Sequence, residues 1–128
     1  MNSFSFQLKS FFLFIGFANI FFSNCVAQGV WTQKANFPGR ARTSATGFSV
    51  NGRGYITLGT DPAGPNYYPV DLWEYNPISN SWIPKSNFPG AGSNATPGFP
   101  IGTKGYIGTG YNGTYPVDFW EWNQATDT

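Results

Sequence analysis

WTQKANFPG at Trp31–Gly39 recurs as WIPKSNFPG at Trp82–Gly90, and GYI at Gly54–Ile56 returns at Gly105–Ile107, both displaced by 51 residues. YPVDLWEYN at Tyr68–Asn76 returns as YPVDFWEWN at Tyr115–Asn123, displaced by only 47. Gly59 still matches Gly110 at 51, so the segment between Gly59 and Tyr68 is where the second copy is four residues shorter. Over the aligned stretches 19 of 43 positions are identical. Chance does not produce that agreement, and a period near 50 residues means supersecondary units that bury their faces against one another.

Each copy reads as four strands. Arg42–Val50 and Arg53–Leu58 flank Asn51-Gly52, a strong two-residue hairpin signal. After a loop, Val70–Asn76 alternates, with Asp71, Trp73 and Tyr75 on one face and Leu72 and Glu74 on the other. Asn76-Pro77 opens a turn, and a fourth strand over Ser81–Ser86 runs until Asn87-Phe88-Pro89-Gly90 breaks it. Pro84 cannot donate to a ladder and suits an outer edge. Four short strands per repeat predict an all-β chain of propeller blades, about two of them, in an incomplete propeller.

Composition agrees. Aromatic residues make up 20% of the chain, with 16 Gly and 10 Pro, and only 10% of residues are charged. Past Lys9, six Lys/Arg face six Asp/Glu, so no basic surface invites nucleic acid. The chain has no His and a single Cys, Cys25. The commonest metal ligand and neutral-pH base are thus missing, and no metal site or cofactor is expected. FFLFIGFANIFF at Phe11–Phe22 follows Lys9 and precedes small polar residues, which predicts a signal peptide over residues 1–27 cut after Ala27. A run of twelve apolar residues is too short to span a bilayer, which takes about 20; lipidation at Cys25 fits poorly because Asn24 precedes it. The protein is accordingly expected to be secreted, periplasmic or at the cell surface, with no membrane span.

The glycine after the second strand (Gly59, Gly110), Tyr75 in the third strand and Trp82 seven residues later resemble kelch repeats, and DLWEYNPISNSW with W-x-x-K-x-N-F-P-G is similar to those of bacterial secreted and surface proteins. One glycine of the usual pair is replaced, giving Gly59-Thr60 and Gly110-Tyr111. The Gly-His and Trp-Asp marks of WD40 repeats are absent. The resemblance implies one blade over 42–86 and a second over 93–128 that lacks its outer strand, with an orphan outer strand at 30–35, all within 28–128. Asn123–Thr128 aligns with Asn76–Ser81, and the next residue in the first copy is Trp82. That alignment suggests a fragment of a longer propeller. In a longer chain the orphan strand would close onto the last blade; otherwise several copies could assemble into one ring.

Recurrent aromatics at Trp31, Trp73, Tyr75, Trp82, Trp120 and Trp122 read as packing between blades. Asp71, Asp118, Glu74 and Glu121 repeat in both copies, which suits structural bonding better than chemistry needed once. Function is expected where the copies differ. The resemblance places the second-to-third-strand loop and the blade-to-blade connection on one face, gathering Arg40, Arg42, Asp61, Asn66, Tyr67, Tyr111 and Asn112 as ligand-binding candidates. Aromatic faces beside amide and guanidinium donors suit a sugar or an extended peptide. The expected function is a non-catalytic scaffold that binds a protein or glycan. The alternative is part of a carbohydrate-active enzyme resembling galactose oxidase or sialic acid epimerase. The oxidase's copper site needs His and Cys that this stretch lacks, and Arg42 is the one strand charge an epimerase site could use. Asn94-Ala95-Thr96 and Asn112-Gly113-Thr114 match the N-glycosylation pattern.

Overall fold

Asn51 and Gly52 both adopt positive φ, 47° and 73°, the geometry a two-residue hairpin turn needs to match strand twist. They join β1 (Thr46–Val50) to β2 (Arg53–Thr57). The computed structural model of the chain describes residues 29–128. The leader expected over residues 1–27, with its Cys25 and Ala27 processing positions, lies outside the described residues. Five further strands follow: β3 (Leu72–Asn76), β4 (Ser81–Lys85), β5 (Gly98–Ile101), β6 (Lys104–Gly108) and β7 (Phe119–Asn123). They form two antiparallel sheets, β1-β2-β3-β4 and β5-β6-β7. The protein is all-β, with two propeller-like blades of four and three strands and no helix among the described residues.

The first strand starts at Thr46, four residues later than the sequence predicts, and the cause is local. Ser44 sits at φ 51°, which breaks the extended run, while Thr43 bridges Thr60 on its own. The second copy repeats this, with Ala95 at φ 51° and Asn94 bridging Tyr111. Gly59 and Gly110 follow the second strand of each copy at φ 99° and 109°. A Cβ on Gly59 would lie 2.6 Å from the Thr43 carbonyl oxygen, so the close approach that makes the bridge requires glycine. Thr60 and Tyr111, which follow these glycines, bond as extended residues and need no glycine of their own.

Alternation also decides which blade face is dry. Phe48, Val50, Tyr55 and Leu72 on the first blade pack with Ile107 and Trp122 of the second. Phe48 stacks on Tyr55 at 5.1 Å, and Trp122 closes over Tyr55 at 4.9 Å. Gly105 permits this: a Cβ there would lie 2.4 Å from the Phe48 ring. A buried polar seam crosses the same interface, since Tyr55 donates to Glu74 (3.0 Å) and accepts from the Gln124 amide (2.7 Å). Burial there, helped by Glu74 and opposed by the Gln124 amide, which stabilises the phenolate, pushes the Tyr55 phenol up to about 12.

The recurrent tryptophans and tyrosines are thus not all core. Trp122 is buried, Trp73, Tyr75 and Trp82 are half-buried, and Trp120 and Trp31 are exposed, Trp31 fully. Residues 30–35 carry no ladder, as no strand pairs with them. The chain divides into two units, Met1–Trp31 and Thr32–Thr128, and the blades belong to the second.

Candidate functional site

The loop from Leu58 to Asp71 is built around one carboxylate. Asp61 is buried, ion-pairs with Arg40 and accepts the Ala63 N–H (3.2 Å), while its own N–H donates to the Tyr67 carbonyl (2.9 Å). These bonds pinch the loop, so that the PAGPN stretch projects outward. The Arg40 guanidinium holds Asp61 below the usual carboxylate range, against the upward push of desolvation. Arg40 also donates to the Ala63 carbonyl (3.2 Å) and stays largely exposed, forming a cationic lip.

Arg42 has a different fate. Its guanidinium grips Asp71 bidentately (2.6 and 2.9 Å), donates to the Leu58 carbonyl (3.3 Å) and lies 5.2 Å from the Phe37 ring centroid. The side chain is 4% exposed. Asp71 in turn accepts the Trp73 indole N–H (2.7 Å). Burial pushes the Asp71 carboxyl up, but Arg42 and Trp73 together outweigh it and hold it below the ordinary value. Its Nε–H donates to the Arg40 carbonyl (3.1 Å), so the strand charge expected to serve a ligand is spent on the protein and fastens the third strand instead. Asp118 bonds the Trp120 indole in the same way (2.6 Å), so the repeated aspartates are structural. Glu121, which bonds Lys104 and Tyr106, matches Glu74.

Two depressions adjoin on this face and share Pro65, Asn66 and Val70. The smaller, about 200 Å³, is walled by Arg40, Arg42, Asp61 and Asp71. The larger, about 620 Å³ and open, lies between Tyr67, Tyr68, Ala91, Gly92 and Asn112. Gly92 is what allows the two blades to meet here, since a Cβ would lie 2.1 Å from the Tyr68 carbonyl oxygen. The Tyr67 ring stands edge-on to Tyr68 at 4.8 Å, half exposed. Asn112 spends its carbonyl oxygen on Thr114 (2.8 Å), and no hydrogen bond engages the Asn66 side chain among the described residues.

Arg40, Asp61, Asn66, Tyr67 and Asn112 therefore meet around one continuous hollow, with Arg42 in its wall. Tyr111 lines neither depression and packs on Tyr115 at 5.3 Å. Tyr68 and Gly92 were not among the sequence candidates. Tyr68 sits in the repeated YPVD block and reads as scaffold, and Gly92 has no counterpart in the first copy, where Ala41 stands. Of the two glycosylation patterns, Asn94 gives its amide to Thr60 (2.8 Å) and is half-buried.

Comparison with solved structures aligns the chain with YjhT at 30% identity and a TM-score of 0.55, covering 65% of this chain and 25% of that one. The protein thus spans about a quarter of the length of that neighbour. No protein-family model and no curated protein matches.

Proposed function

We propose that the chain is a segment of a secreted kelch-type propeller acting as a non-catalytic binding scaffold, with the double hollow of the loop face as its ligand site. The observation that carries this reading is the arrangement of Tyr67 and the Asn66 and Asn112 side chains around an open depression of about 620 Å³. An aromatic flank beside neutral amides suits the apolar face and hydroxyls of a sugar ring, or an extended peptide. The chemistry of an enzyme would need an unspent acid, base or cation, and Arg42, Asp61 and Asp71 are all paired among themselves and Arg40.

The test is a glycan array and a peptide array probed with the full chain, followed by calorimetry on the best hit. Tyr67→Ala should weaken that hit at least tenfold, and Asn66→Ala by a smaller factor. Binding that survives Tyr67→Ala unchanged, or no binding on either array, overturns the assignment of this face.

A further inference from the structure

Asparagine is followed by glycine twice in the chain, at Asn51-Gly52 and Asn112-Gly113. Such a pair carries a latent reaction, because glycine has no side chain to keep its backbone nitrogen away from the asparagine amide carbon. The two pairs are held very differently. Asn51-Gly52 is the hairpin turn of the first blade, with both residues at positive φ and the Val50–Arg53 rung closing behind them. Its side chain is also fixed from outside the turn, as the Asn51 Nδ2 donates to the Gln124 Oε1 (2.6 Å).

Asn112-Gly113 lies between the lone bridge at Tyr111 and the start of β7, with no ladder behind it. Asn112 folds its side chain over its own peptide in an Asx turn. Its Oδ1 accepts the Thr114 hydroxyl (2.8 Å) and the Thr114 N–H (3.3 Å), while its own N–H donates to the Thr114 carbonyl (3.2 Å). The turn carries the amide carbon towards the Gly113 nitrogen. Two donors on the amide oxygen polarise it and suit the negative charge that builds there under attack. The Asn112 Nδ2 and the Gly113 N–H have no hydrogen-bond partner among the described residues, and nothing stands within 4 Å of where a Gly113 Cβ would sit. All of these bonds fall within three residues, so they hold whatever adjoins the blade.

Two other asparagines show that the turn alone is not enough. Asn76 accepts the Ile78 N–H (2.9 Å) in the same way, but the next nitrogen belongs to Pro77 and has no hydrogen to lose. Asn123 accepts the Ala125 N–H (3.0 Å), but the nitrogen after it is crowded by the Gln124 side chain. Among the described residues Asn112 alone combines the turn with a glycine. Exposure would order the two Asn-Gly pairs the other way, since Asn51 is exposed and Asn112 half-buried.

We propose that Asn112 is a site of spontaneous deamidation, converting to isoaspartate and aspartate through a cyclic imide with Gly113, while Asn51 stays intact. The Gly113 nitrogen gives up its proton and bonds to the Asn112 Cγ; the Cγ–Nδ2 bond breaks, and Nδ2 leaves as ammonia with the proton. Water then adds to one of the two imide carbonyls and opens the ring. Opening at Cγ gives aspartate, and opening at the backbone carbonyl gives isoaspartate, with the chain continuing through the side chain. Asn112 lines the larger hollow, whose other lining residues, Asn66, Tyr67 and Tyr68 among them, carry no carboxylate. The product therefore puts a negative charge into a neutral wall. That consequence for a ligand rests on reading the hollow as a binding site; the reaction itself does not.

The experiment incubates the full chain in mildly alkaline native buffer and follows both asparagines by peptide mapping with mass spectrometry. Asn112 should convert at least about tenfold faster than Asn51, with isoaspartate the larger product, and in strong urea the two rates should draw together. Thr114→Val, which takes the hydroxyl off the amide oxygen, should slow Asn112 several-fold and leave Asn51 unchanged. Equal rates in native buffer, a faster Asn51, or an Asn112 rate that Thr114→Val does not alter overturns the proposal. No readout involves a ligand, so failure here leaves the assignment of the hollow standing.

Discussion

Phe48 and Phe99 hold the same place in two copies of one repeat, yet Phe48 is 8% exposed and Phe99 42%. Leu72 and Phe119 differ still more, at 3% and 57%. The strands around them pair in the same register, so the ladder does not cause the difference. The neighbour does. A blade is hydrophobic on both faces and can bury only the one that meets another blade, which makes stability in this architecture a sum of interface contributions. The first blade shows what the sequence of the second is fitted to do once something covers it.

The widest separation between the two copies is expected from truncating these phenylalanines. Phe48→Ala removes a ring stacked on Tyr55, seated on Gly105 and touched by Trp122, and should cost about 3–5 kcal/mol. Phe99→Ala should cost less than about 1 kcal/mol in the single copy, because most of what it loses faces water. Urea denaturation of both variants measures the gap, and equal midpoints would mean that Phe99 is covered in solution.

A second separation comes from a position where the copies differ. Arg42 anchors Asp71 while Ser93, its counterpart, bonds Thr96 (2.7 Å) and leaves Asp118 with only its indole partner. Arg42→Ala strips a part-buried carboxylate of its charged partner and should cost about 2 kcal/mol, against about 1 for Ser93→Ala. The pH dependence gives a further check. The lowered Asp71 carboxyl stabilises the native state above its ordinary value, and that stability is lost as pH falls through the folded value. In Arg42→Ala, burial is left with less opposition, so the acid limb of the stability curve should move to higher pH, as read by urea midpoints below pH 5.

Tyr55 and Tyr106 carry the comparison into the polar seam. Tyr55→Phe leaves Gln124 and Glu74 without their shared partner inside the interface and should cost about 1–2 kcal/mol. Tyr106→Phe loses a bond to an exposed glutamate and should leave the urea midpoint where it was. Because the Tyr55 phenol is raised, its contribution is complete below pH 10 and fades as pH rises from 10 towards about 12. Tyrosinate absorbance should show Tyr55 as the late-titrating ring.

Much of this could be read before any coordinates. The 51-residue shift, Asn51-Gly52 and the alternation of Leu72 with Trp73 placed the blades and their turns, because each is a local signal that tertiary context does not override. Which blade face is buried was not local. Phe48 and Phe99 each follow a glycine at the same place in the repeat, and the order of blades in space is what tells them apart. The site divides the same way. Asn66, Tyr67 and Asn112 were visible as loop residues where copies diverge. Arg42 looked equally free, and its capture by Asp71 depends on a pairing 29 residues away that no spacing rule announces. Gly92 matters only through the Tyr68 carbonyl that approaches it, a contact between blades.

The smallest expected effect concerns the glutamates that close each third strand. Glu74 lies inside the interface with Tyr55 and with Arg53 at 3.7 Å, whereas Glu121 meets Lys104 and Tyr106 at the surface. The Lys104 ammonium, then the Tyr106 hydroxyl, hold the Glu121 carboxyl below its usual range. That hold is exposed and should be screened: in roughly 1 M salt, where the Debye length shrinks to about 3 Å, the carboxyl resonance of Glu121 should titrate closer to the ordinary value. Lys104→Ala should produce the same upward shift at low salt, with no change in the urea midpoint, since exposed pairs contribute little.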